Sequence, residues 1–208
     1  MLKLHEELMD LKAAQLAPFE TWHKGRKCYV VWMYQFNKDS LQDLCQHFQL
    51  KLSNLIKLHP VQKPHLTIAP AGFLTEHALE EDEVNLTSLL NYSDKLQRLK
   101  LAPPLIRLEK IQSFPHCPYI ACRDLTKTSE ITKAILDPNA KNFTPHITLG
   151  TYLETPLHGI LNDFFKIPIP KLTLQASSLD CVRFSTHPIN NIPVCPEDFE
   201  TIAQVHFS

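Results

Sequence analysis

A short pattern that occurs twice constrains the fold of this chain more than any other feature. Pro64–Ile68 has the sequence Pro-His-Leu-Thr-Ile, and Pro145–Leu149 has the sequence Pro-His-Ile-Thr-Leu. Because side chains alternate between the two faces of a strand, each copy places a histidine and a threonine on one face and two apolar residues on the other. Each copy therefore predicts a strand that packs one face on a core and presents an imidazole and a hydroxyl on the opposite face.

Two copies of the full pattern are hard to attribute to chance. The chain has 11 histidines, so one bare His-x-Thr is expected by accident. The preceding proline and the two apolar positions reduce the expectation for a full copy to about one in a hundred, with composition treated as independent. Pro115–Pro118 begins in the same way but has proline where the threonine would stand, so we give His116 no catalytic role. The alternative, that the motif histidines are core residues bonded to the backbone, explains a single copy better than a matched pair.

Two such strands set face to face would surround one small cavity with two imidazoles and two hydroxyls. Imidazoles titrate near neutral pH, so one ring can be neutral while its partner is protonated, as acid–base chemistry on a phosphodiester requires. We therefore predict that His65 and His146 are catalytic. We predict that Thr67 and Thr148 bind the substrate by donating to non-bridging phosphate oxygens. The near-symmetry of the two copies leaves open which histidine is the acid and which the base.

Composition excludes several other classes of protein. The 208 residues suffice for one large domain or two small lobes, and a formal net charge of −1 gives no global positive field for long nucleic acid. No apolar run approaches the roughly 20 residues that span a bilayer, so we expect no membrane partner. With only four glycines, the chain has neither a P-loop nor a dinucleotide-binding fingerprint. We predict no cofactor, and we expect a monomer.

The cysteines predict neither disulfides nor a metal site. None of the six forms a C-x-x-C pair, so we expect free thiols in a reducing, cytoplasmic location. Cys117 and Cys122 could join His116 at a zinc ion, but their odd spacing in a strand would send the two sulfur atoms to opposite faces. We therefore predict no metal ligands.

Apolar periodicity and turn residues predict the remaining elements. We expect helices over residues 1–17, from 39 or 40 to before 60, over 84–101 (buried stripe Leu86, Leu89, Leu90 and Leu96), over 126–136 and over 155–165. We expect strands over residues 27–36, a hairpin of 105–114 and 119–123, strand-like structure over 171–185 and an edge strand over 199–207. Gly72 and Gly150 should close the motif strands, and residues 76–83 should form a solvated turn. The order strand, helix, motif strand occurs twice, about 28–70 and 117–151, which predicts a duplicated α+β plan.

The motifs resemble those of the two-histidine (2H) phosphoesterase superfamily, which includes the bacterial 2′-5′ RNA ligase and cyclic phosphodiesterase family. The specific matches are Lys63–Thr67, the trailing Ala71–Phe73, and Phe143–Gly150. The resemblance covers most of the chain beyond residue 27. It implies an α+β fold of two pseudo-symmetric lobes, each an antiparallel sheet backed by helices, with a central groove lined by the two His-x-Thr strands. Residues 1–208 would then form a single two-lobed phosphoesterase domain with a helical N-terminal arm over residues 1–20.

The resemblance also implies an activity. It implies a metal-independent phosphodiesterase that hydrolyses the 2′,3′-cyclic phosphate ends of RNA or small cyclic nucleotides, so the partners would be RNA ends, short oligonucleotides or cyclic nucleotides. Many bacterial members carry an arginine three residues after the second motif threonine, where this chain has Thr151. That departure argues against an identical substrate and against ligation. A 2′-5′ RNA ligase or 2′-5′ phosphodiesterase stays an alternative, as does a non-catalytic nucleotide- or RNA-end-binding module.

Base recognition would need an aromatic partner and phosphate recognition a cationic one. We predict Tyr152, just past the second motif, as the substrate-binding aromatic, although aromatic residues are more often part of a core. The alternatives are Trp32, Tyr34 and Phe73. The basic residues that could steer a phosphate are Lys63, Arg107, Arg123 and Lys141, although most such residues are simply solvated.

Overall fold

The computed structural model describes residues 11–36, 39–138, 143–157, 159–188 and 199–208. Its helices are α1 (Leu16–His23), α2 (Asp39–Ser53), α3 (Leu86–Arg98) and α4 (Thr128–Leu136), with one 3-10 turn at Phe164–Lys166. Its strands are β1 (Cys28–Gln35), β2 (Leu58–Pro60), β3 (His65–Leu74), β4 (Glu83–Val84), β5 (Leu105–Ser113), β6 (Pro118–Asp124), β7 (His146–Thr148), β8 (Gly150–Tyr152), β9 (Thr173–Gln175), β10 (Ser178–Ser185) and β11 (Glu200–His206). The predicted repeat of strand, helix and motif strand is present as β1–α2–β3 and β6–α4–β7.

The strands form two larger sheets and one short connecting ladder. The first sheet has the order β11-β10-β1-β3-β4, the second has the order β7-β6-β5-β9, and β2 pairs with β8. Within the described strands every pair is antiparallel except β3 and β4. In the first sheet β1 lies between β10 and the motif strand β3, and in the second β6 lies between β5 and the motif strand β7. The chain therefore has the predicted α+β fold of two related lobes.

The apolar faces of the two motif strands belong to one continuous core. Their four apolar residues, Leu66, Ile68, Ile147 and Leu149, are each at most 1% exposed. Burial of a side chain of this size contributes about 1.5–3 kcal/mol, so these residues fix which face of each strand is turned away from the core. The predicted alternation is confirmed, and it holds His65 and His146 on the faces opposite the core.

The helices that the sequence predicted over residues 39–59, 84–101 and 126–136 are present, with shorter bounds. Helix α3 begins at Leu86 because the side chain of Asn85 caps it by accepting a hydrogen bond from the backbone N–H of Ser88 at 2.9 Å. Leu89 and Leu96 are buried as predicted, whereas Leu86 is 51% and Leu90 44% exposed. The buried stripe of α3 is therefore narrower than predicted. Among the described helices, none is long and apolar enough to cross a membrane.

The predicted helical arm is wrong over residues 11–15 and present only from Leu16 onward. Residues 11–15 form no helix, and residues 1–10 lie outside the described chain. Helix α1 begins at Leu16 and includes Pro18 in its first turn, where a missing N–H leaves no intrahelical bond unmade. The proline starts this helix instead of ending one.

Two other elements differ from the prediction because glycine allows special backbone geometry. The predicted helix over 155–165 is only the turn at Phe164–Lys166, preceded by Gly159 at a φ of 80°. Strand β3 passes through Gly72 to Leu74 instead of ending there. At Gly72, where φ is 118°, an added Cβ would lie 2.6 Å from the backbone oxygen of Asp82, so this glycine permits the close approach of the chain leading into β4.

The remaining strand predictions are confirmed with one correction. The hairpin of β5 and β6 is present, and β11 lies at the edge of the first sheet. The strand-like stretch over 171–185 divides, because β9 joins the second sheet while β10 joins the first. Residues 76–82 form the predicted exposed turn, in which Asp82 accepts two hydrogen bonds from the guanidinium group of Arg26, at 2.7 and 2.8 Å.

Candidate functional site

The two motif histidines are anchored to the backbone in the same way. Nδ1 of His65 lies 2.9 Å from the carbonyl oxygen of Lys63, and Nδ1 of His146 lies 2.7 Å from the carbonyl oxygen of Thr144. Since a carbonyl oxygen only accepts, Nδ1 carries the hydrogen in both rings. This leaves Nε2 of each ring as the atom that can take or give a proton.

The motif threonines share the faces of the histidines. In the ladders with β1 and β6, Thr67 lies opposite Met33 and Thr148 lies opposite Tyr119. Both threonines are partly exposed. Neither hydroxyl makes a hydrogen bond to another residue in the described part of the chain, so each is able to donate to a ligand.

The two motif strands lie against each other although they belong to different sheets. Cα atoms of β3 and β7 approach within 8 Å. Just outside these strands the backbone N–H of Val61 donates to the carbonyl oxygen of Leu149 at 3.1 Å. The buried amide of Gln49 on α2 donates to both the Val61 and Leu149 carbonyl oxygens at 2.8 Å. The β2–β8 ladder continues this junction, so backbone hydrogen bonds and one side chain fix the two motifs relative to each other.

Burial lowers the pKa of both histidines below the ordinary value of 6.5. In each ring the hydrogen bond to the upstream carbonyl opposes that shift by raising the pKa. A positive charge on His146 lowers the pKa of His65 further. Both rings are therefore poised to be neutral at pH 7 in the free protein, and protonating one disfavours protonating the other.

Each histidine also packs against a phenylalanine that the sequence did not predict. The Phe199 ring contacts His65 edge to face at 5.1 Å, and the Phe114 ring contacts His146 in the same manner at 4.9 Å. Phe114 also stacks on Tyr119 at 4.3 Å. Edge-to-face pairs of this kind contribute about 0.5–1.5 kcal/mol each. The only sequence signals were that Phe114 ended the first predicted hairpin strand and that Phe199 began the predicted edge strand.

Tyr152 does not lie at the site, so its predicted role in binding substrate is wrong. The residue is 0% exposed, and its hydroxyl lies 3.0 Å from Oγ of Ser113 inside the protein. Burial raises the pKa of Tyr152 to about 12. The change of partner strand after Leu149 turns Tyr152 toward the core, where β8 pairs with β2. The alternatives Trp32, Tyr34 and Phe73 are buried as well.

The basic residues considered as phosphate-steering groups lie in different parts of the structure. Lys63 is exposed beside the first motif, and Arg107 pairs directly opposite Arg123 in the second sheet. Lys141 lies outside the described residues. Thr151, where many bacterial relatives carry arginine, is only 6% exposed within the β2–β8 ladder. A groove-facing cation at that position would not fit this packing.

The cysteines are free thiols throughout the described chain: Cys28, Cys45, Cys117, Cys122 and Cys181. Cys195 lies outside it. Within the described ranges, no group of three or more histidine, cysteine, aspartate or glutamate side chains is arranged to hold a metal ion.

A family model decides the relationship that the motifs suggested. The model of the 2′-5′ RNA ligase superfamily matches residues 37–187, a span that includes both His-x-Thr strands. The chain belongs to the 2′-5′ RNA ligase superfamily. A search of curated proteins gives no match.

Solved structures share the fold of this superfamily member at low sequence identity. Escherichia coli LigT in complex with 3′-AMP superposes with a TM-score of 0.62 at 12% identity, covering 88% of this chain and 99% of LigT. TT0787 of Thermus thermophilus superposes with a TM-score of 0.58 at 16% identity, covering 86% of this chain and 97% of its own. A structure described as a phosphoesterase superposes with a TM-score of 0.52 at 13% identity, covering 85% of this chain and 99% of its own. These likenesses establish the two-lobed fold, and the superfamily indicates a phosphoesterase.

Proposed function

We propose that this chain is a phosphodiesterase that hydrolyses 2′,3′-cyclic phosphates at RNA ends or in small cyclic nucleotides. His65 and His146 serve as the acid–base pair, and Thr67 and Thr148 hold the phosphate. One observation carries the proposal: two imidazoles on adjacent strands of different sheets have the same Nδ1 anchorage, which leaves both Nε2 atoms for proton transfer.

The reaction follows from the protonation states of the pair. The neutral ring removes a proton from water at Nε2 while the water oxygen forms a bond to phosphorus. The bond from phosphorus to one ribose oxygen breaks, and the protonated ring gives its Nε2 proton to that oxygen. The threonine hydroxyls donate to the non-bridging oxygens, on which charge builds in the transition state. The product is a phosphate monoester with a free ribose hydroxyl, and proton exchange with solvent restores the starting pair.

The proposed reaction requires no metal ion. Because both proton transfers use imidazoles, we expect turnover to survive EDTA, and loss that a divalent cation restores would contradict this metal-independent scheme. LigT crystals that hold 3′-AMP, NADP+ or ATP support nucleotides as ligands for this fold. We propose that the chain acts as a single-domain cytoplasmic monomer on RNA ends, short oligonucleotides or cyclic nucleotides.

The test is turnover of adenosine 2′,3′-cyclic phosphate by single histidine variants. His65→Ala and His146→Ala should each lower kcat by about 10²–10⁴, the usual contribution of a positioned acid or base. His116→Ala is the matched control, because Nδ1 of His116 also lies near a backbone carbonyl, that of Lys12 at 3.2 Å, but its motif lacks the threonine. Near-normal turnover by either motif variant would instead favour a nucleotide-binding module. Preference for 2′-5′-linked substrates would favour the 2′-5′ phosphodiesterase or ligase alternative.

A further inference from the structure

The face of the second sheet that carries His146 also carries a row of basic side chains. In the β7–β6–β5 register, His146 lies opposite Ala121, and Ala121 lies opposite Lys110. Further along the same two strands Arg123 lies opposite Arg107. The register shift between Leu108 and Lys110 places Lys110 on the same side as Arg107, away from the buried Leu108 and Ile111.

This basic face is exposed and only partly neutralised. Nε of Arg123 lies 2.8 Å and Nη2 of Arg107 3.4 Å from Oε1 of Glu109, so one carboxylate is shared by two guanidinium groups. Lys110 is exposed and forms no ion pair with another residue in the described ranges. Three cations and one carboxylate leave this face with an excess of positive charge, although the whole chain has a formal net charge of −1.

The spacing fits a nucleotide strand that extends away from the histidines. Neighbouring strands are about 4.8 Å apart, so the backbone at Lys110 lies about 10 Å from that at His146. A strand in duplex geometry advances about 3.4 Å per nucleotide along its axis and a single strand can be more extended, so this distance corresponds to at most about three nucleotides. Ala121, between the two, is only 7% exposed, so the larger side chains around it form this part of the surface.

In the described strands of the first sheet, the positions that match this basic face carry no cation, although the two lobes are related. There the positions that match Ala121 and Lys110 are Gln35 and Ser178, opposite His65 in the β3–β1–β10 register. The adjacent carboxylate, Asp180, is buried and accepts hydrogen bonds from Gln35 at 2.8 Å and Gln204 at 3.0 Å. Among the described strands, a row of cations therefore lies level with the motif histidine in the second sheet and not in the first, which favours one direction for a bound strand.

We propose, resting on the function above, that the face formed by Arg107, Lys110 and Arg123 binds the phosphates of the nucleotides that precede a terminal 2′,3′-cyclic phosphate. The substrate is then the end of an RNA strand, and a mononucleotide fills only the part of the site next to the histidines. Lys110 contributes a full, unshared charge, and Arg107 and Arg123 extend the track along β5 and β6.

The test compares adenosine 2′,3′-cyclic phosphate with a tetraribonucleotide that ends in the same cyclic phosphate. The wild-type kcat/KM should be higher for the tetranucleotide and should fall with salt, because each phosphate contact adds about −0.7 to the slope of log affinity against log salt for single strands. Lys110→Ala should lower the ratio of tetranucleotide to mononucleotide kcat/KM about threefold to tenfold and reduce the salt slope by about 0.7. Lys110→Glu should lower the ratio further.

Lys51→Ala is the control, because it removes the same charge from an exposed position on α2. Urea unfolding of each variant identifies any loss that comes from folding. One outcome is that both substrates turn over while the ratio of tetranucleotide to mononucleotide kcat/KM is the same in Lys110→Ala as in Lys51→Ala. In that case the basic face is not a strand-binding site, and the proposed hydrolysis stands. If neither substrate turns over, the proposed function fails. Fluorescence anisotropy with the tetranucleotide then tests whether the basic face binds the strand. Weaker binding by Lys110→Ala supports this role, and unchanged or absent binding overturns it.

Discussion

Gln49 should be worth more to stability than any other side-chain amide in the described helices, because it joins the two motifs. Its amide donates to the carbonyl oxygens of Val61 and Leu149, both at 2.8 Å, and the residue is buried. Gln49→Met keeps a side chain of similar length and removes both donors. The Leu149 oxygen still accepts from the Val61 N–H at 3.1 Å, whereas the Val61 oxygen loses its amide.

The expected cost follows from these two hydrogen bonds. Leaving a buried acceptor unsatisfied costs about 1–3 kcal/mol, and losing a bond at an acceptor that keeps another donor costs about 1 kcal/mol. Gln49→Met should therefore lower the free energy of unfolding by about 2–4 kcal/mol. It should also lower kcat, because a shift of about 1 Å between catalytic groups can cost a hundredfold.

Urea unfolding followed by tryptophan fluorescence measures the first effect, since Trp32 is buried in the core. Gln42→Met is the matched control: Gln42 lies on the same helix and donates to the Gln62 carbonyl oxygen at 3.0 Å, but it is not buried. The control should change stability by no more than about 0.5 kcal/mol. A Gln49→Met protein as stable as the control would refute the argument that this amide fixes the two motifs.

Three further predictions follow from the site and its surroundings. Because the pKa values of both His65 and His146 are lowered, the form with one neutral and one protonated ring is most populated below pH 6.5. The pH profile of kcat/KM should therefore be bell-shaped with its maximum below pH 6.5. A maximum above about pH 7 would contradict this prediction. Tyr152→Phe should cost about 0.5–1.5 kcal/mol in urea unfolding by removing a buried hydrogen bond, and a large rise in KM would instead restore a role for this ring in binding. Gly150→Ala would place a Cβ 2.6 Å from the His59 carbonyl oxygen and should cost about 1–3 kcal/mol in the same assay, whereas an unchanged midpoint would show that β2 and β8 separate easily.

The sequence was most informative where one local rule decided the outcome. Apolar residues recur with a period of two in both motifs, at Leu66 and Ile68 and at Ile147 and Leu149. This period is sufficient to predict two half-buried strands and the shared face of each histidine and threonine. The order of strand, helix and motif strand then predicted the duplicated plan. None of this required knowledge of distant contacts.

The sequence was least informative where residues far apart in the chain decide the outcome. Tyr152 lies in the interior, where its hydroxyl forms a hydrogen bond with Ser113. The ring of His65 contacts that of Phe199, which comes from near the end of the sequence. Arg107 and Arg123 of the basic face were among the predicted phosphate-steering residues, but Lys110 was missed, because a strict alternation from Arg107 would put Lys110 on the buried side. The irregularity at Glu109 reverses that alternation and turns Lys110 away from the core.

A double-variant cycle on the histidines tests the central claim most directly. The measurement is kcat for adenosine 2′,3′-cyclic phosphate in the wild-type protein, His65→Ala, His146→Ala and the double variant, with folding checked by urea unfolding. If the rings act as one acid–base pair, the double variant should be about as impaired as the worse single variant, because residues that act as a unit are not additive. Losses in the two single variants that multiply in the double variant, or near-normal turnover by either single variant, would contradict paired catalysis.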